Sequence, residues 1–122
     1  MIKGSYLRYL FLGVCLSLIA STGLAEQLPK LVDVGADKCI PCIKMAPILA
    51  QLREDYSGKL EVKFVDAWKN REEAASYNVQ MIPTQIFYAS DGQELFRHTG
   101  FYGREDMLGK WRELGYDFSA VK

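Results

Sequence analysis

The chain is poor in metal ligands: its 122 residues include one histidine, His98, and three cysteines. Cys15 lies in a segment expected to be removed, which leaves Cys39, Cys42 and the distant His98, one short of the four ligands of a structural zinc site. Neither sign of charge is in excess, with 15 basic and 15 acidic residues. There is no basic block or low-complexity stretch, which argues against nucleic acid as a partner. No apolar run reaches the ~20 residues that a membrane-spanning helix requires. Beyond residue 25 there are only two cysteines, so an exported domain of this sequence would not rest on a disulfide framework, and the pair reads as working chemistry.

That pair is Cys39-Ile40-Pro41-Cys42. An amphipathic stretch, Ile43 to Tyr56, follows directly, so Cys39 is expected at or just before a first helical turn. There, free backbone N–H groups and the positive end of the helix dipole favour an anion. The Cys39 thiolate should form more readily than that of a free cysteine, with Cys42, one turn further in, placed to close a disulfide with it. A purely structural disulfide is the alternative, although closing so short a loop removes little unfolded-chain entropy.

The N-terminus suggests a compartment. Lys3 and Arg8 lie in a short basic start, Leu10 to Ala20 is almost continuously apolar, and Ser21-Thr22-Gly23-Leu24-Ala25 offers small residues where a signal peptidase would cut. Residues 1–25 are therefore expected to be a secretory signal, with an uncleaved anchor as the alternative. Residues 26–122 then form one small domain.

Along that domain, Leu31 to Gly35 reads as a buried strand interrupted by Asp33. A helix from about Pro41 to Tyr56 places Ala46, Leu49, Leu52 and Tyr56 on one face, with Pro47 inside it. Leu60 to Val65 alternates as a half-buried strand, Arg71 to Tyr77 is a short helix, and Gln85 to Ala89 is a third strand. Asp91-Gly92 signals a hairpin to a fourth strand, Glu94 to His98. The last helix puts Met107, Leu108, Trp111 and Leu114 on one face before Gly115. Strands joined through helices are expected to be parallel and the hairpin antiparallel, giving an α/β fold with a mixed sheet and helices on both faces.

These features together resemble the thioredoxin family. The resemblance rests on Asp33 six residues before Cys39, the Cys39-Ile40-Pro41-Cys42 motif, Lys44-Met45-Ala46-Pro47-Ile48-Leu49, the Ile82-Pro83-Thr84 triplet and Asp91-Gly92. It implies a thioredoxin-like sheet of about four strands flanked by helices, because the stretch from the expected cleavage site to Asp33 is too short for the strand and helix that open a full thioredoxin; retention of the residues before 26 as that missing helix is the alternative. By family topology the strand Leu60 to Val65 would lie at an edge, where Glu61 and Lys63 guard against aggregation. The resemblance also implies a cis Ile82–Pro83 bond beside the disulfide, with the Ile82 backbone and Thr84 next to an extended substrate chain.

In thioredoxins the acid matching Asp33 is buried behind the second cysteine and helps to move its proton. The resemblance carries that role to Asp33, with an exposed strand-end acid as the alternative. Two departures stand out. Lys38 and Gly35 occupy positions where the family usually has tryptophans, and Ile40 replaces the usual glycine. Lys38 sets a cation beside Cys39, and Ile40, next to Pro41, narrows the approach to it. None of His98, Trp68, Phe101, Tyr102 and Trp111 demands a function; a lone histidine at a strand end reads as surface or core filler, and Trp111 as core.

The expected activity is extracytoplasmic thiol-disulfide exchange with protein partners. Cys39 attacks, Cys42 resolves, Asp33 and Pro83 assist, and Lys38, Ile40, Pro41, Ile82 and Thr84 meet the substrate. No metal, nucleotide or flavin is implied, a monomer is expected, and a membrane-embedded electron donor would recharge a reductase. A disulfide-donating oxidase or isomerase, or a binding module that retains the fold, are the rival readings.

Overall fold

The protein is described here by a computed structural model, which describes residue 23 and residues 25–118. The expected signal, including Cys15 and the apolar run 10–20, lies outside the described residues apart from 23 and 25. The elements run β1 (Lys30–Gly35), α1 (Ile40–Asp55), β2 (Glu61–Asp66), α2 (Arg71–Ser76), β3 (Thr84–Tyr88), β4 (Glu94–Thr99) and α3 (Arg104–Glu113). Their order and type match the sequence expectation, with ends moved by a residue or two.

The four strands form one mixed sheet in the order β2-β1-β3-β4. β1 pairs parallel to β2 and antiparallel to β3, and β3 pairs antiparallel to β4. β2 therefore lies at an edge, as expected. Its Glu61 is exposed, and Lys63 pairs with Glu73 on α2.

One topological expectation is corrected. β2 and β3 are joined through a helix, yet they run in opposite directions on either side of β1. α2 has six residues and so rises about 9 Å, less than half the ~20 Å length of β2. It cannot return the chain to the start of the sheet, and β3 begins at the end where β2 stops.

The pleat divides the core in two. Leu31, Val62 and Phe87 face α1 and α3, packing with Met45, Leu49, Leu52, Met107 and Trp111. Val32, Val34, Val65 and Ile86 face α2 and its Ala74. The buried stripe of α1 is Cys42, Met45, Leu49 and Leu52, so Met45 takes the inward place expected of Ala46, which is exposed. With Cys42 turned inward beneath the end of the sheet, the next inward position is three residues on, at Met45. The helix continues through Pro47, which sits on the exposed side.

Candidate active site

Cys39 is the N-cap of α1, with extended backbone angles of φ −83° and ψ 124°, and Pro41 lies in the first turn. Proline suits this position because its fixed φ is helical and an N–H there would have no intrahelical partner. No side chain caps the helix and no acidic residue stands in its first turn. The electropositive end of α1 is thus uncompensated at Cys39. Cys39 is half-buried and Cys42 is buried. The two are joined in a disulfide, with their Cα atoms 5.1 Å apart.

Beneath Cys42 lies Asp33, which is fully buried, so the exposed alternative does not hold. Its Oδ1 accepts a hydrogen bond of 2.9 Å from Gln85 Nε2, whereas Oδ2 is buried without a hydrogen-bond partner. Burial pushes the carboxyl up from 3.8 to about 6, with the Gln85 bond acting in the opposite direction.

Gly35 shows how closely these groups converge. A Cβ at that position would lie 3.2 Å from Cys42 Sγ, 3.2 Å from the Phe64 ring and 3.4 Å from Asp33 Oδ2. The residue that replaces a family tryptophan therefore lets an aromatic ring from β2 approach the sulfur and the acid. Phe64 also helps to wall an apolar cavity of about 380 Å³ that is shared with Cys42, Ile43, Ala46 and Leu49.

Ile82–Pro83 is a cis peptide bond. Thr84 is the register partner of Val34 near the end of β1, so the turn that carries Pro83 and the loop that carries Cys39 leave the same end of the sheet. Thr84 donates its hydroxyl to Met81 O at 2.6 Å, and Gly100 N donates to Pro83 O at 2.7 Å. Pro83 and Thr84 are buried, and Ile82 is half-buried. Lys38 and Ile40 are both exposed, Ile40 by 71%. Trp68 is an exposed rim residue, and Trp111 is core.

The sequence reading missed two residues. Gln85 is fully buried and joins Asp33 to His98, whose Nδ1 lies 3.0 Å from Gln85 Oε1. His98 also stacks on Tyr102 with ring centroids 4.0 Å apart, so it is not unpaired. The available signal was a glutamine at the start of an otherwise apolar strand, Thr84–Tyr88.

A disulfide at a helix N-terminus, a buried acid beneath it and a cis-proline at the same end of a mixed sheet define a thiol-disulfide exchange site. The chain belongs to the thioredoxin family: the family model described as Thioredoxin matches residues 21–111. Thioredoxins of Staphylococcus aureus, in strains Mu50 and MW2 among others, are 40% identical over 78 residues, which is 64% of this chain and 74% of theirs. A solved structure described as "Structure of a malarial protein" superposes with a TM-score of 0.65 at 21% identity, covering 70% of this chain and 96% of that one, and so shares the fold. The protein is a thiol-disulfide oxidoreductase.

Proposed function

We propose that the protein reduces disulfides in partner proteins outside the cytoplasm, or relays electrons to them, and works as a monomer. The observation that carries the chemistry is a half-buried sulfur at an uncompensated helix N-terminus, bonded to a buried sulfur that lies over a desolvated acid. In the reduced protein the Cys39 thiolate attacks one sulfur of a partner disulfide. A mixed disulfide forms, and the other partner sulfur leaves as a thiolate and takes a proton from water. Cys42 then gives its proton to Asp33 and attacks Cys39 Sγ. This closes the Cys39–Cys42 disulfide and expels the second partner thiolate, so two electrons have passed to the partner.

In this reading Pro83, the Ile82 backbone and Thr84 align the partner chain, while the exposed Lys38 and Ile40, with Pro41, meet it at the rim. The apolar run 10–20 behind a basic start supports an extracytoplasmic location, and there a membrane-embedded donor would supply the electrons.

Three experiments test the proposal. Cys42→Ser should trap mixed disulfides in a periplasmic and membrane extract, and recovery of none would count against exchange. Equilibration of the protein with a reference thioredoxin should give a potential near the thioredoxin value of about −270 mV. A value towards about −120 mV would instead make it a disulfide donor. Asp33→Asn should slow Cys42 attack while leaving Cys39 alkylation nearly unchanged, and unaltered turnover would remove Asp33 from the mechanism.

A further inference from the structure

A single row of directly opposed residues crosses the sheet on its α1 face: Phe64 on β2, Asp33 on β1, Gln85 on β3 and His98 on β4. We propose that His98 is a positioning residue that acts on Asp33 through the Gln85 amide and sets how readily the acid accepts the proton of Cys42.

The donors and acceptors along the row fix where the hydrogens lie. Gln85 Nε2 donates to Asp33 Oδ1, which leaves Oε1, a pure acceptor, facing His98 Nδ1 at 3.0 Å. Nδ1 must therefore carry a proton, whether the ring is neutral or cationic. That donor holds the amide in the orientation that presents N–H to the carboxylate. Without it, Gln85 is free to turn Oε1 towards Asp33, an arrangement that suits only the protonated acid. His98 itself is fixed by stacking on Tyr102, whose backbone N–H reaches Met45 Sδ on α1 at 3.4 Å. The row therefore ends on a braced imidazole that is partly exposed to solvent.

Among the described residues, burial and the Gln85 bond act on the acid and no other charge competes for it. Cys42 from α1 and the apolar Phe64 from β2 share the Gly35 face with Asp33. Gln85 is its hydrogen-bond partner among the described residues. Lys63 is paired with Glu73 on α2, and Asp66 accepts the backbone N–H groups of Trp68 and Lys69. On α3, Lys110, Asp106 and Glu113 act on Tyr102. The Gln85 bond favours the Asp33 anion against its burial, and this is the interaction that His98 protects.

The inference rests on the proposed proton transfer from Cys42 to Asp33, but its test reads Asp33 directly. In the full chain with carbon-13-labelled aspartate, the Asp33 carboxyl is titrated by NMR, oxidised and reduced, and assigned with Asp33→Asn. His98→Phe keeps a ring against Tyr102 and removes the donor. It should raise the Asp33 midpoint by about 0.5 to 1 pH unit and shift the pH profile of Cys42 attack with it. His98→Asn, whose amide N–H can replace Nδ1–H, should restore the midpoint. In a Gln85→Met background, His98→Phe should have no further effect. An unchanged midpoint in His98→Phe, no rescue by His98→Asn, or an equal rise in the Gln85→Met background would each overturn the coupling. A shifted midpoint without any change in Cys42 attack would leave the coupling standing and refute the role of Asp33 in exchange.

Discussion

Asp33 combines complete burial with half-satisfied hydrogen bonding, and its energetics follow from that. In the unfolded chain its carboxyl titrates near 3.8, and in the folded protein near 6. Below pH 3.8 both states are protonated and the acid costs the fold nothing. As pH rises towards 6 the unfolded chain ionises first, and above 6 the folded state bears the full penalty, about 3 kcal/mol. Asp33→Asn should therefore stabilise the protein at pH 7 by up to about 3 kcal/mol and flatten the change in stability between pH 4 and 6. Urea unfolding at a series of pH values checks this, and unchanged pH dependence would show that the penalty is relieved elsewhere. Gly35 belongs to the same cluster. The Cβ of Gly35→Ala would crowd Cys42 Sγ and Phe64 at 3.2 Å, at a cost of about 1 to 2 kcal/mol. The disulfide tethers Cys42 while the reduced thiol can yield, so the oxidised state should lose more and the reduction potential should rise, as measured against glutathione.

At the scale of elements, β2 is one of the two edge strands of the sheet, with β4 at the other side. The exposed Lys63–Glu73 ion pair is worth under about 1 kcal/mol, so the charge at Lys63 matters more for keeping other strands away than for stability. Lys63→Val should thus change the unfolding free energy by less than about 1 kcal/mol while increasing self-association, as followed by sedimentation velocity; a monodisperse variant would assign edge protection to Glu61 alone. The strands hold a further lesson about legibility. Alternation in Leu60–Val65 and the turn signal Asp91-Gly92 marked β2 and the hairpin because strand period and a positive-φ turn are local properties. Gly92 has φ 88°. The direction of β3 was misread because it depends on the length of α2 against that of β2, a comparison across elements.

At the scale of the whole molecule, the α1 and α3 side of the sheet is closed by one aromatic cluster. Trp111 is fully buried and meets Phe87 at 4.8 Å, Tyr116 at 5.4 Å and Phe118 at 5.7 Å between ring centroids. Trp111→Ala should cost about 3 to 5 kcal/mol, a large share of the stability of a domain this size. Its thermal midpoint should fall by well over 10 °C in a circular-dichroism melt, and a small shift would mean that the surrounding rings close over the gap. The sequence by itself determined the cysteine pair, the helix that begins at it, the proline triplet and the inward face of α3, because each is written in neighbours within a turn or a strand. Tertiary structure alone decided the antiparallel run of β3, the place of Met45 in the core, the approach of Phe64 to Gly35 and the line from His98 through Gln85 to Asp33. Those depend on register between strands far apart in the chain, which pairing across the sheet sets and no local pattern encodes.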